Sequence, residues 1–254
     1  MQKPDNSILI LILSAAFCLI LLGSPIVALS QEGVIASTPL AGAIAKAAGA
    51  KEVRVLSPEG AMHPPEYDLK PSDLLKLEGA KIVIYGGYER MVSKLLEISR
   101  EKNIFLLQVG TETSPESLIA SARKISEVLK TEKDEQVWER QFIEELKTLQ
   151  KKLSSFSGKR AIVHPYAYAF CKWANLTVVK TVNPAELTPR VVADAVAQKP
   201  DLVVDVLHFP VARVIAENAK CKYIQIINFP GVENTKTLKD IFDYNSMQII
   251  KVFQ

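Results

Sequence analysis

Histidine and cysteine are both scarce in this chain, three of each in 254 residues. Three thiols, at Cys18, Cys171 and Cys221, are too few for a disulfide scaffold or a four-cysteine zinc site. There is no run of five or six like charges, and 31 basic against 28 acidic residues leave a net +3. That sets aside the basic tail or stripe by which a nucleic-acid binder is recognised. Gly86-Gly87 has no G-x-G-x-x-G around it, and Gly231 is a lone turn glycine, so no dinucleotide or phosphate loop is supported. No Ser or Cys sits in a nucleophile elbow. With 11 Gly, 14 Pro, 48% hydrophobic and 23% charged residues, the chain is neither low-complexity nor disordered.

The first thirty residues read as a targeting segment. Met1 to Asn6 is short and polar, and Ile8 to Leu22 is apolar apart from Ser14. Gly23-Ser24-Pro25 then interrupts it, and Ala28-Leu29-Ser30 offers small residues for cleavage before Gln31. Residues 8–29 carry no charge, so an uncleaved anchor is the alternative. Either way the chain from 31 onward is expected outside the cytoplasm.

From residue 34 short β-rich runs alternate with helical stretches. Strands are predicted at 34–37, 52–56, 81–85 and 104–109, with helices from Pro39, Ser72 and Glu89 between them. From Ser114 to Ser154 no strand-like run occurs. A break near Thr131-Glu132 divides this stretch into two helices, the second with an apolar stripe of Val137, Phe142, Leu146, Leu149 and Leu153. The alternation then resumes, with strands at 161–163, 176–181, 202–206 and 223–227 and a last helix from Leu238. Strands separated by helices at this spacing specify βαβ units with parallel sheets. The expected fold class is therefore α/β: two βα lobes with parallel sheets joined by one long linker helix. Residues 1–30 are the signal or anchor, 31–131 the first lobe, 132–157 the linker and 158–254 the second lobe.

All three histidines follow predicted strands. His63 lies in the loop after the second strand, His164 directly after 161–163, and His208 two residues after 202–206. That is the edge where open parallel sheets bind ligands. One lies in the first lobe and two in the second, which points to a site in the cleft between lobes. Neutral imidazole suits zinc and other first-row metals. Taken singly, each is as readily a solvated loop residue, and His208 also reads as a helix-entry residue packed on Phe209.

Gly60 to Asp73, with His63-Pro64-Pro65-Glu66-Tyr67 and Lys70-Pro71-Ser72-Asp73, resembles the G-x-x-P-H-x-Y-x-P-x-P-S-D loop of metal-binding substrate proteins of ABC importers. Lys81 to Glu89 is similar to that family's next strand and turn. Val163 to Phe170 is similar to its H-x-A-F-x-Y-F segment. The resemblance spans nearly the whole chain after the targeting segment. It implies a receptor, not an enzyme, that captures a divalent ion (zinc favoured, manganese the alternative) and presents it as a monomer to an ABC permease.

The chain departs from that pattern at two places. Gly110 to Ser117 matches the stretch where the family carries a second His, and has none. Ile227-Asn228-Phe229-Pro230-Gly231 matches the turn of its last acidic ligand, with Asn228 in that position. His63 and His164 carry over directly. His208 and Asn228 complete the expected metal set, with water or Glu112 as a further ligand. Two other functions stay open: a receptor for a corrinoid or metal chelate, and an extracytoplasmic zinc hydrolase with Glu66 or Asp68 as base. A Cys171–Cys221 disulfide is also open, since the sequence does not give their separation.

Overall fold

In the computed structural model the described residues are 33–58, 60–61 and 63–254; the targeting segment and Cys18 lie outside them. Eight strands form two separate four-stranded parallel sheets. The first contains β1 (Val34–Ala36), β2 (Val53–Val55), β3 (Ile82–Tyr85) and β4 (Phe105–Gln108) in the order β2-β1-β3-β4. The second contains β5 (Arg160–Val163), β6 (Thr177–Thr181), β7 (Leu202–Val206) and β8 (Lys222–Ile226) in the order β6-β5-β7-β8, with a register shift in β5 between Ala161 and Ile162. Both sheets thus reverse direction of winding at the same place in their topology, between the first and third strands of each.

The connecting helices are α1 (Pro39–Ala47), α2 (Asp73–Lys76), α3 (Val92–Lys102), α4 (Pro115–Leu129), α5 (Glu132–Leu153), α6 (Tyr168–Trp173), α7 (Pro189–Ala197), α8 (Arg213–Ala219) and α9 (Leu238–Phe253). Three start with the same device. Thr38, Ser114 and Thr188 accept a backbone N–H three residues on, and a proline follows each where no intrahelical donor is needed. The linker α5 carries Glu132, Asp134 and Glu135 in its first turn and Lys151 and Lys152 in its last, the charge order that its dipole favours. Two expectations shift locally. Glu89 stays in the turn before α3, and Tyr166 falls in a 3-10 turn (Pro165–Ala167) before α6.

Alternate residues of each sheet face opposite ways. Val34, Ala36, Ile82 and Ile84 share one apolar core with Ala161, Val163, Val204 and Val206 of the other sheet, and this core runs along α5. Ile35 and Val83 face an outer core in the first lobe, and Ile162 and Val203 one in the second. The linker is not alone in bridging the lobes. α9 packs on α5, on β8 and on α1 of the first lobe. Phe242 of α9 meets Phe142 of α5 at 5.7 Å and Trp173 of α6 at 4.8 Å between ring centroids. Gly49 holds φ +93°, where an added Cβ would lie 2.9 Å from the side chains of Thr131 and Asp134, so α1 ends directly against the start of the linker.

Cys171 lines the central core while Cys221 packs on the outer face of the second sheet. With that sheet between them, both thiols are free. No helix among the described residues is long and apolar enough to cross a membrane.

Two predictions follow from the packing. Phe142 is 1% exposed and joins linker to C-terminal helix. Phe142→Ala should cost about 3–5 kcal/mol in a urea titration. Glu135, 2% exposed, has an unpartnered Oε1. Burial raises its carboxyl above the usual range, and Glu139 beside it adds to the rise while Arg123 opposes it. A raised folded pKa means that the folded chain holds this proton more tightly than the unfolded one. Its ionisation therefore destabilises the fold increasingly as pH rises above the unfolded value. Glu135→Gln should accordingly raise the melting temperature by a few degrees at pH 7, on the order of 1 kcal/mol, and have little effect at pH 4.

Candidate metal centre

His164 and His208 stand one and two residues past a strand and His63 eight residues past β2, and a proline follows each within two residues. His63 precedes a 3-10 turn (Pro64–Glu66) and its carbonyl accepts from Glu66 N–H at 3.0 Å. The loop is tied down on both sides. Arg90 N–H donates to Pro65 carbonyl at 2.8 Å, and Tyr67 hydroxyl donates to Asp73 Oδ2 at 2.6 Å. That bond is the main reason the Tyr67 hydroxyl is pushed up to about 12. Asp73 also accepts from Lys70 N–H and pairs with Lys76.

His164 is 2% exposed. Its backbone N–H donates to Val204 carbonyl at 2.9 Å, and its Nδ1 accepts from Tyr166 N–H at 3.1 Å. Nε2 is buried without a partner. Since Nδ1 accepts, the neutral ring carries its proton on Nε2, which makes that atom an orphaned buried donor. Burial lowers the His164 pKa, with Asp205 pulling the other way.

His208 follows β7 in the loop that Asp205 braces. The Asp205 carboxylate accepts from Val211 and Ala212 N–H, both at 2.7 Å, and from Tyr223 hydroxyl at 3.2 Å. Burial, then Asp205, pushes the Tyr223 hydroxyl up to about 12. His208 itself is lowered to about 4, first by burial and then by the neighbouring His63 and His164. At neutral pH it is an uncharged donor.

The three rings converge from both lobes. His63 and His208 centroids lie 5.8 Å apart. The Phe209 ring lies 6.3 Å from His63 and 6.4 Å from His164. Tyr166 stacks nearly parallel to His208 at 6.4 Å, and Phe229 lies 5.1 Å from His208. Two imidazoles on one tetrahedral zinc, with Zn–N of ~2.0–2.1 Å, have centroids roughly 5 Å apart. The His63–His208 spacing is near that value.

Asn228 precedes Phe229, the neighbour of His208. Its carbonyl accepts from Thr113 hydroxyl at 3.4 Å across the lobes, and its Oδ1 is buried without a partner. Asn245 of α9, fully buried, holds the preceding residue by accepting from Ile227 N–H and donating to Ile227 carbonyl, both at 2.8 Å.

No carboxylate joins the three rings. Glu112 and Glu66 are exposed, and Asp68 pairs with Arg90 at the surface. Among the described residues no three His, Cys, Asp or Glu side chains form a set that would hold a metal ion. In the first lobe the equivalent crevice is occupied by Glu89. Its carboxylate, buried, accepts from Ser37 hydroxyl and from Gly86 and Gly87 N–H. Gly87 is at φ +98°, and an added Cβ would fall 2.1 Å from Gln108 Nε2, so only glycine presents this amide. Sequence reasoning missed Glu89, Asn245 and the bracing role of Asp205. The Gly-Gly turn with an acid two residues on was the available signal for the first.

Two parallel sheets of like order, joined by a long helix, with their strand ends turned to a common cleft, define the class: a helix-linked two-lobe α/β fold. No protein-family model and no curated protein matches the sequence. Solved structures do match in fold. The Mn-bound periplasmic metal binding protein from Candidatus Liberibacter asiaticus aligns with TM-score 0.68 at 12% identity, over 87% of this chain and 99% of that one. The laminin-binding protein Lbp of Streptococcus pyogenes aligns with TM-score 0.65 at 13% identity, over 85% and 98%. The laminin binding protein Lmb of Streptococcus agalactiae, described as bifunctional with adhesin and metal transporting activity, aligns with TM-score 0.64 at 13% identity over the same shares. At these identities the likeness is one of fold.

Asp205→Asn should leave an amide facing backbone donors. A stability loss of about 1.5–3 kcal/mol is expected in thermal melting, with faster proteolysis inside residues 207–212.

Proposed function

We propose that this chain is an extracytoplasmic receptor that captures a divalent metal ion, zinc first and manganese as the alternative, in the cleft between its lobes. It acts as a monomer, catalyses no reaction and hands the ion to an ABC permease. The observation that carries this reading is the approach of His63 from one lobe to His208 from the other at 5.8 Å; His164 Nε2 and Asn228 Oδ1, both buried, have no hydrogen-bond partner. The periplasmic metal-binding proteins that share the fold support the same reading.

The proposed donors are the His63–His208 pair, with His164 and Asn228 joining only after the cleft rearranges, since no three of these side chains are arranged to hold an ion as they stand. His63 and His208 form the pair that is nearest to ligating geometry. His164 joins through Nε2 only when Nδ1 releases Tyr166 N–H and takes the proton, at a cost of about 1 kcal/mol for the lost bond. A set of neutral donors compensates none of the ion's charge, so affinity falls below that of a receptor with a carboxylate ligand. The hydrolase alternative needs a general base at the metal. Glu66 is exposed and Asp68 is paired with Arg90, so nothing in the site favours it.

Titration calorimetry with zinc chloride tests the reading. His63→Ala and His208→Ala should each weaken zinc binding at least tenfold and together abolish it, with the circular dichroism spectrum unchanged. Full-affinity binding by the double variant would remove the site from this cleft. Because α5 and α9 both span the lobes, capture should involve only a small tilt of the lobes. Small-angle scattering should show little change in radius of gyration on adding zinc; a large compaction would contradict the bridging helices.

A further inference from the structure

Beside His164 the second lobe holds a cavity of about 480 Å³, lined by Pro165, Tyr166, Asn183, Pro184, Phe209 and Val211. This volume lies in the range of small-molecule sites, and a bare ion with its waters fills little of it. The walls are largely apolar, with Tyr166 and Phe209 both exposed. The polar groups are donors. His164 Nε2–H is buried and unpartnered, and Asn183, whose carbonyl oxygen already accepts from Ala185 N–H at 3.1 Å, has its amide hydrogens left.

The metal side of the cleft has the opposite deficit. Its donors are all neutral, and the nearby Asp205 is committed to Val211, Ala212 and Tyr223. A divalent ion there keeps its full charge with no protein anion to offset it.

We propose that the cargo enters as a divalent ion already held by a small carboxylate-bearing chelator, the ion on His63 and His208 and the organic part in the cavity beside His164. The inference rests on the metal-receptor reading above. The chelator supplies the negative charge that the site lacks and fills coordination positions that two imidazoles leave open. One carboxylate oxygen accepts from His164 Nε2–H, which satisfies the orphaned donor without breaking the Tyr166 bond. A flat ring on the chelator meets Tyr166 and Phe209.

Calorimetry would compare zinc chloride, an equimolar zinc–pyridine-2-carboxylate mixture, and pyridine-2-carboxylate alone, on the chain from residue 31 onward. The mixture should bind at least tenfold more tightly than zinc chloride, and the chelator alone should not bind measurably. Ala185 lies exposed on the cavity wall. Ala185→Trp should therefore fill the cavity without disturbing the fold, removing the chelator's advantage and leaving the affinity for zinc chloride unchanged. Zinc chloride binding as tightly as the mixture, or more tightly, would overturn the chelate proposal while leaving the metal receptor standing. So would binding of the chelator alone, or an advantage that survives Ala185→Trp. Failure of both zinc forms to bind would bring down the receptor reading itself.

Discussion

The structure depends on one apolar seam, in which the linker helix and the C-terminal helix bury their aromatic side chains between two sheets. Phe142, Phe170 and Phe242 are all but fully buried there, with Trp138 and Trp173 packed against them. Each sheet presents its odd or even residues to this seam and the others to an outer core, so the orientation of both sheets is fixed by one shared interior. A one-residue slip in any central strand would exchange the two faces and break the seam. The C-terminal edges of the sheets are therefore held toward each other, and loops leaving those edges meet whatever their own sequence.

That is why the placement of the histidines was legible. Strand, helix and strand follow from hydrophobic period and from Thr-Pro or Ser-Pro starts, which are local signals. A residue one or two positions past a parallel strand is placed by topology alone, which locates His164 and His208 at the sheet edge; His63, eight residues past Val55, depends on the course of its proline-rich loop. What spacing does not contain is the pairing within the cleft. His63 approaches His208 because the loop after β7 is pulled inward by Asp205, a tertiary hydrogen-bond pattern that involves Tyr223 eighteen residues on. The bridging role of α9 was hidden for a similar reason. Its amphipathic stripe shows that one face is buried but not that the surface it meets belongs to both lobes.

Asn228 illustrates the limit from the other side. Its position after the last strand was readable, and so was its lack of charge. Its fixing was not, because that depends on Asn245, eighteen residues on, reading both backbone groups of Ile227. A buried asparagine in a helix gives no sequence signal that separates this clamp from a solvated surface residue.

The two lobes treat their crevices in parallel fashion with opposite results for the ligand. In the first, Glu89 is enclosed by two backbone amides and the Ser37 hydroxyl. In the second, Asp205 is enclosed by three amides, those of Val206, Val211 and Ala212, and the Tyr223 hydroxyl. A carboxylate that accepts several charge-assisted hydrogen bonds would lose them on turning to a metal, at about 1.5–3 kcal/mol for each. Both acids nearest the sheet ends are thus committed to shaping loops. What remains for a ligand carries no carboxylate: three imidazoles, an amide and several aromatic faces. On the proposed reading, such a wall would hold a bare divalent ion weakly and a complex of lower net charge more readily, because less hydration is stripped from the complex on entry. The charge that this cleft lacks is consequently as much a determinant of what it accepts as the nitrogen atoms that it offers.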